Sequence, residues 1–248
     1  MAKFRPGPGP GPGESSAFRP GPSGSSAAPA PWPIRLSDPD TGRVLGAGFR
    51  IAPRLALTCW HVVAERWERG TEVALTGPAG WSGIIRPGDL EEAAPGADVA
   101  LLRLPGSVPD APAAAMGPAQ PPAPGQVLAS FGFRGQDDPG TWARVVVEKL
   151  DPGAHRVWLA GHAAPGGHIS QGFSGGPVTD PDTRLVVGMA SLAWAHQPAT
   201  LMIPVAALAA SRAELRPILL PASPAVPEAA PSGQTRRSGV SLKGPGAG

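Results

Sequence analysis

Three short segments of the chain contain residue types that together perform nucleophilic catalysis. Two residues separate His61 from Thr58, which ends an apolar, strand-like run. Asp98 stands directly before the apolar run that begins at Val99, and Ser174 lies in a glycine-rich turn. A serine hydroxyl is a weak nucleophile, so a neighbouring imidazole must take its proton during attack. A carboxylate that accepts the other ring N–H fixes the tautomer of that imidazole.

The turn around Ser174 provides a second catalytic requirement. It runs from Gln171 to Val178 and contains three glycines. Glycines allow unusual backbone dihedrals and a close approach of the backbone to a ligand. The oxyanion that develops on an attacked carbonyl is stabilised by backbone N–H groups aimed at it. We therefore expect the N–H groups of Gly172 and Ser174 to form an oxyanion hole.

Short β-like runs that alternate with Gly/Pro turns are the elements that must position these residues. Many short strands at close spacing favour a sandwich or barrel. The predicted strands are Ile34–Leu36, Val44–Ile51, Leu55–Thr58, Glu72–Thr76, Trp81–Ile85, Val99–Leu104, Val127–Phe133, Trp142–Lys149, Arg156–Ala160, Pro177–Val178, Leu185–Ser191 and Thr200–Ile203. A Pro-rich stretch, Pro105–Pro124, divides them into two sets of about six and is interpreted as an interdomain connection. Helices are predicted at His61–Trp67 and Val205–Leu215, and Asp89, Glu91 and Glu92 are interpreted as loop charges.

The three segments resemble the T-A-x-H, D-[IL]-A-L-[LI] and G-[DN]-S-G-G-P blocks of chymotrypsin-like (trypsin-fold) serine proteases. The order His61, Asp98, Ser174 also matches, whereas subtilisins and α/β-hydrolases use other orders. The likeness extends over residues 43 to 210. It is closest to the HtrA-like branch, without a PDZ domain, because of the G-x-G-F strand and Met202–Pro204. Each segment alone is typical of an ordinary turn or strand end; three in this order point to the family.

The resemblance implies an all-β fold of two six-stranded antiparallel β-barrels with a C-terminal helix. The protease domain would span residues 32–220, with residues 32 to about 108 in the first barrel and 125–204 in the second. His61 and Asp98 would come from the first barrel and Ser174 from the second, as a catalytic triad in the crevice between them.

Two positions depart from the family pattern. Phe173 stands where animal digestive proteases have an Asp that pairs with a freed N-terminal amine during zymogen activation. That switch cannot operate here, although HtrA-like proteases also lack it. Cys59 and Trp60 replace the usual small pair before the histidine; Cys59 is interpreted as a small buried hydrophobic residue.

The resemblance also places a substrate pocket, whose base lies about six residues before the nucleophile. Its walls would be His168, Ile169, Ser170 and Gln171 on one side and Ser191, Leu192 and Ala193 on the other. These walls contain no carboxylate, and an unpaired buried charge is costly. We therefore expect a small or medium apolar P1 residue rather than Lys or Arg.

Composition limits the other functions. Gly and Pro supply 34 residues each and are concentrated in residues 1–31 and 221–248, which are predicted to be disordered tails. The formal charge is +2, without the concentrated basic face of a nucleic-acid reader. The one cysteine cannot form an internal disulfide, which favours a reducing compartment. With no membrane span or signal-peptide run, a cytoplasmic protein is predicted. The dispersed histidines lack the spacing of a helical zinc site, so no metal or cofactor is expected.

The leading hypothesis is a serine endopeptidase that cleaves protein or peptide substrates through an acyl-enzyme. The alternative is a non-catalytic binding module that uses a protease scaffold within a regulatory or effector system, since a fold does not prove a function. The presence of all three triad residues favours the enzyme. The tails could engage a regulatory partner.

Overall fold

The computed structural model of the protein describes residues 30–135, 137–151, 153, 155–161, 169–193 and 199–221. Within them the chain forms thirteen strands and three short α-helices. The strands are β1 (Pro33–Ser37), β2 (Val44–Ala52), β3 (Leu55–Thr58), β4 (Val73–Thr76), β5 (Ser82–Ile85), β6 (Leu90–Glu92), β7 (Ala100–Arg103), β8 (Val127–Gly132), β9 (Thr141–Asp151), β10 (Arg156–Gly161), β11 (Pro177–Thr179), β12 (Val186–Ala193) and β13 (Ala199–Pro204). The helices are α1 (Trp60–Glu68), α2 (Val205–Ala210) and α3 (Arg216–Leu219). The predicted tails lie, apart from residues 30, 31 and 221, outside the described residues.

The strands divide into two sets, as the sequence predicts. Strands β1–β7 form one antiparallel sheet in the order β5-β4-β1-β2-β3-β7-β6. Strands β8–β13 close into a barrel in the order β10-β13-β12-β11-β8-β9. The all-β fold is therefore confirmed, with a closed six-stranded barrel in the second half.

The first half has seven strands rather than six because β6 was not predicted. Glu91 and Glu92, expected in a loop, pair with Leu101 and Ala100 of β7. The Glu91 carboxylate accepts a hydrogen bond from Arg103 at 2.8 Å. Charged side chains are common on an edge strand, where they discourage pairing with another chain. Their polarity concealed the strand, because they do not produce an apolar run.

Two arginines hold the Pro-rich connection against the first sheet. Arg50 is fully buried, and its Nη1 donates to the carbonyls of Pro53 (2.9 Å) and Pro109 (3.0 Å). Arg54 Nη1 donates to the carbonyls of Pro105 (2.8 Å) and Val108 (2.7 Å). Proline lacks an N–H but keeps its carbonyl acceptor, so a Pro-rich segment needs donors from outside. These side chains supply them.

The C-terminal helical segment is interrupted rather than continuous, and it packs on both halves. The first helix of this segment, α2, ends at Ala210 instead of reaching Leu215, and a 3-10 turn, Ala213–Leu215, precedes α3. The Ser211 hydroxyl donates to the Leu208 carbonyl at 2.7 Å, and such side-chain bonds compete with helix continuation. Residues of α2 and α3 share a buried cluster with β1, β2 and β3. The halves are thus joined by a common core.

The strand–turn–helix that carries His61 is close to the prediction. Strand β3 ends at Thr58, and α1 runs from Trp60 to Glu68 with Val62 and Val63 buried. Among the residues that the structure describes, no helix combines the length and apolar character needed to span a bilayer.

Candidate active site

The residues singled out by the sequence lie where the first sheet meets the turn between β10 and β11. His61 is near the start of α1, and Asp98 directly precedes the chain that enters β7. The backbone N–H of Ala47, on β2, donates to the carbonyl of Ser174 at 2.8 Å. The serine turn of the second half is therefore attached directly to the sheet that carries His61 and Asp98.

The His61 imidazole and the Asp98 carboxylate form a two-point contact. Nδ1 of His61 lies 2.9 Å from Oδ1 and 3.0 Å from Oδ2. The backbone N–H of His61 also donates to Oδ1 at 3.0 Å. An Nδ1–H that donates to a carboxylate leaves Nε2 as the unprotonated nitrogen of the neutral ring. The ring is thus held in the tautomer that a general base needs.

Ser191 provides a third donor group to the same carboxylate, after the ring and the backbone N–H of His61, and it comes from the other half of the molecule. Its hydroxyl donates to Asp98 Oδ2 at 2.7 Å, and the residue is 4% exposed. Burial alone would raise the pKa of Asp98, but hydrogen bonds and charge from His61, with the Ser191 hydroxyl, outweigh it and hold that pKa below its ordinary value. The carboxylate therefore stays ionised although it is largely enclosed.

Asp98 adopts an uncommon backbone conformation. Its φ is +58°, in the left-handed region that non-glycine residues rarely occupy, although Asp tolerates it better than most. The nearby Gly96 has φ +77°. Such conformations persist where the surroundings over-determine them, and they are concentrated at functional sites. Here the conformation accompanies the contact of Asp98 with both the ring and the backbone of His61.

The turn that carries Ser174 is closely packed against the first sheet. Gly175 has φ +82°, and a Cβ atom there would lie 2.2 Å from both the Ala47 carbonyl oxygen and Thr58 Oγ1. Thr58 Oγ1 in turn donates to the Ala47 carbonyl at 2.6 Å. Gly175 N–H donates to the Ala190 carbonyl at 2.8 Å. Only glycine fits this position, which explains the glycine after the serine.

The predicted oxyanion-hole donors have geometry compatible with that role. Gly172 has φ +99°, and its carbonyl accepts from Phe133 N–H at 3.1 Å. Within the described part of the chain, the N–H groups of Gly172 and Ser174 have no backbone acceptor. This is compatible with the predicted oxyanion hole, which needs N–H groups that no other acceptor uses.

The Ser174 hydroxyl forms no hydrogen bond with His61 in this structure. Ser174 is 5% exposed, and among the described residues no hydrogen bond joins its Oγ to the His61 ring. Hydrogen bonds between nucleophile and base are often long without substrate and tighten in the substrate complex. Ser174 is instead attached to the first sheet through its carbonyl, which accepts from the Ala47 N–H.

Phe173, which replaces the acidic residue of digestive proteases, is a buried anchor. It is 0% exposed. A Cβ at Gly132 would lie 2.4 Å from the Phe173 ring, so the ring packs on the bare backbone at the end of β8. The Arg134 guanidinium lies 6.0 Å from the ring centroid, within cation–π range. An apolar contact thus fixes the residue between the two predicted oxyanion-hole donors.

The predicted pocket walls are only partly within the described residues. His168 lies outside them, and the side chains of Leu192 and Ala193 are not described although both residues belong to β12. Ile169 is half-buried against the core of the barrel, while Ser170 and Gln171 are exposed. Ser191 was expected as a pocket wall; its bond to Asp98 was not foreseen. A serine on a buried strand gives no sequence signal for that partner.

Cys59 is an inert thiol with a structural contact. Burial raises its pKa well above the usual value, and the Asp98 charge raises it further. Its Sγ donates to the Ala190 carbonyl at 3.3 Å. Cys59, His61 and Asp98 each have an atom that could bind a metal, and these atoms lie within 4.8 Å of one another. The same atoms already take part in the hydrogen bonds described. The arrangement fits a hydrogen-bonded acid–base pair better than a metal centre.

Comparison with known proteins agrees with this geometry. Residues 46–189, more than half of the chain of 248 residues, match the family described as "Trypsin-like peptidase domain". The protein therefore belongs to the trypsin-like peptidase family. A search of curated proteins gave no match.

Solved structures share the fold at low sequence identity. The serine endoprotease from Yersinia pestis superposes with a TM-score of 0.57 and 16% identity, covering 77% of this chain and 63% of its own. The MamO protease domain from Magnetospirillum magneticum gives 0.55 and 17%, covering 74% and 97%. An inactive form of the Rv3671c protease gives 0.54 and 22%, covering 76% and 91%. This chain thus spans less than two thirds of the Yersinia protein, and the likeness shows the fold alone.

Proposed function

We propose that this protein is a serine endopeptidase that cleaves protein or peptide substrates, with Ser174 as nucleophile, His61 as general base and Asp98 as the group that orients and stabilises the imidazole. The observation that carries the proposal is the Nδ1–carboxylate contact of 2.9 Å, beside a glycine turn attached to the same sheet.

The proposed reaction follows the order that these groups require. His61 Nε2 takes the proton of the Ser174 hydroxyl as the oxygen attacks the scissile carbonyl. The N–H groups of Gly172 and Ser174 stabilise the negative oxygen of the tetrahedral intermediate. The imidazolium then gives its proton to the leaving amine, and water hydrolyses the acyl-enzyme by the same steps. Asp98 stabilises the imidazolium without taking the proton.

The experiment compares the wild type with three variants, using a fluorophosphonate probe and a peptide library as substrate. Ser174→Ala should abolish labelling and turnover, while Ser107→Ala, an exposed serine remote from the site, should retain both. Asp98→Asn should lower kcat by about 10⁴-fold because the ring loses its tautomer. Labelling or turnover that survives in Ser174→Ala would rule out the mechanism.

A second function remains open because the Ser174 hydroxyl has no hydrogen bond to His61 among the described residues. A non-catalytic module would use the same cleft to bind an extended peptide. In that case, the folded wild type would show no labelling and no turnover. The wild type and Ser174→Ala would nevertheless bind peptides with equal affinity.

The setting of the protein is also part of the proposal. A reducing compartment, with the cytoplasm as the default, is supported by the free, buried Cys59. A regulatory partner that binds residues 1–31 or 221–248 is supported only by their Pro/Gly composition. Cell fractionation tests the compartment, and a pull-down that compares the wild type with chains lacking residues 1–29 or residues 222–248 tests the partner.

A further inference from the structure

The segment that presents Asp98 needs support from outside its own half. Gly96 and Asp98 both have positive φ, and a left-handed non-glycine residue costs on the order of 1–3 kcal/mol. Local support comes from Ala97 N–H, which donates to the Ala94 carbonyl at 3.0 Å, and from Ala93 N–H, which donates to the Val99 carbonyl at 2.9 Å. Both bonds leave the Ala97 carbonyl available to another donor.

That donor is Arg156, the first residue of β10 in the second half. Its Nη2 donates to the Ala97 carbonyl at 2.9 Å, one residue before Asp98. Its Nη1 is buried, and no atom of the described chain accepts a hydrogen bond from it. Leaving a buried charged donor unpaired is costly. Such a group in a native structure requires an explanation. The Nη2 bond beside Asp98 does not satisfy Nη1, but it gives a reason for this guanidinium to be buried here.

We propose that Arg156 is a positioning residue for the acid of the site: its guanidinium holds the Ala97 carbonyl and thereby keeps the Asp98 carboxylate aligned with His61. This inference deepens the proposed function and rests on it for its kinetic consequences. No contact with substrate is assigned to Arg156.

The contact acts through geometry rather than through charge. The groups that set the pKa of Asp98 are its burial, His61 and Ser191, and Arg156 is not among them. A guanidinium bonded to a carbonyl restrains the position of the backbone, and a displacement of about 1 Å at a catalytic group can cost about 100-fold in rate. A small loss of alignment is therefore measurable although the charge of the site is unchanged.

The test uses three variants of the full chain. Arg156→Met keeps a shorter, unbranched apolar side chain and removes the donors, while Arg156→Lys restores one charged donor. Arg54→Met is the matched control, because Arg54 also donates to two backbone carbonyls, those of Pro105 and Val108, but far from Asp98. All three are compared for kcat, KM, unfolding in urea and the downfield ¹H resonance of the His61 Nδ1–H.

We expect Arg156→Met to lower kcat about 10- to 100-fold, with KM changed less than about twofold, and to weaken or shift the Nδ1–H resonance. Arg156→Lys should recover part of both. Arg54→Met should lose stability while keeping kcat and the resonance. A kcat and resonance unchanged in folded Arg156→Met, or equal changes in Arg54→Met, would overturn the inference.

Failure of this inference is distinguishable from failure of the proposed function. If the wild type neither labels nor turns over substrate, the endopeptidase proposal fails, while the Nδ1–H resonance still reports whether Arg156 aligns Asp98 with His61. If Arg156→Met does not fold, Arg156→Lys gives the result. In that variant, a kcat and a resonance that both depart from the wild-type values support positioning by the guanidinium, whereas wild-type values of both, with or without a loss of stability, contradict it.

Discussion

The hydrogen bond from Ser191 to Asp98 makes a prediction that separates electrostatic support from packing. Ser191→Ala removes a donor 2.7 Å from an ionised, largely enclosed oxygen. Hydrogen bonds to charged groups contribute about 1.5–3 kcal/mol. At about pH 7 we therefore expect the free energy of unfolding to fall by about that amount, which is roughly a 10- to 150-fold change in the folding equilibrium.

The loss should depend on pH in a defined direction. The pKa of Asp98 is lower in the folded protein than its ordinary value. Such a group contributes stability that is present above the unfolded pKa, about 3.9, and is lost as the pH falls through the folded value. The difference between wild type and Ser191→Ala should therefore be full at about pH 7 and shrink below about pH 4.

Urea denaturation at about pH 7 and below about pH 4 measures the difference in unfolding free energy between wild type and Ser191→Ala. A second serine provides the control. Ser130 is likewise buried, at 0% exposed, but its hydroxyl has no hydrogen-bond partner among the described residues. Ser130→Ala should be neutral or slightly stabilising at both pH values, because it removes an unsatisfied polar group. A Ser191→Ala deficit that is the same at both pH values would refute the electrostatic reasoning.

Two further predictions concern the oxyanion turn and the pocket. Phe173→Ala should cost about 3–5 kcal/mol of stability, because the side chain is fully buried, and Phe173→Leu less than about 1.5 kcal/mol; both are measured by urea denaturation, with fluorophosphonate labelling as the readout of the turn. A loss under about 1 kcal/mol in Phe173→Ala would contradict the anchoring role. In a P1 library at about pH 7.5 and about pH 5.5, on either side of the ordinary pKa of a histidine, small or medium apolar residues should be preferred. A clear preference for Lys or Arg would contradict the proposed pocket, whereas a preference for Glu only at the lower pH would identify His168 as its cause.

Local patterns predicted the strands well, and two of the three candidate residues, His61 and Asp98, are in contact. All twelve predicted strands overlap observed ones, because alternating apolar residues between Gly/Pro turns are a local signal. The barrel closure in the second half followed from the family resemblance, since pairing between distant strands leaves no local pattern.

The parts that the sequence did not reveal depend on neighbours that are distant along the chain. Strand β6 was missed because Glu91 and Glu92 gain their pairing only from β7. The end of α2 is set by a local bond of Ser211, but helix propensity alone favoured continuation. The roles of Ser191 and Arg156 arise from contacts with the segment around Asp98 in the other half, and no spacing rule connects them.

Because bonds between the two halves complete the candidate site, the site forms only when both halves have folded and docked. His61 and Asp98 belong to the part of the chain that is synthesised first, whereas Ser174 and Ser191 are synthesised later. An early or half-opened chain holds a base and an acid without a nucleophile, or a nucleophile without a base. On the proposed function, hydrolytic power switches on only when both halves are docked, so an incompletely folded molecule does no damage to the proteins around it.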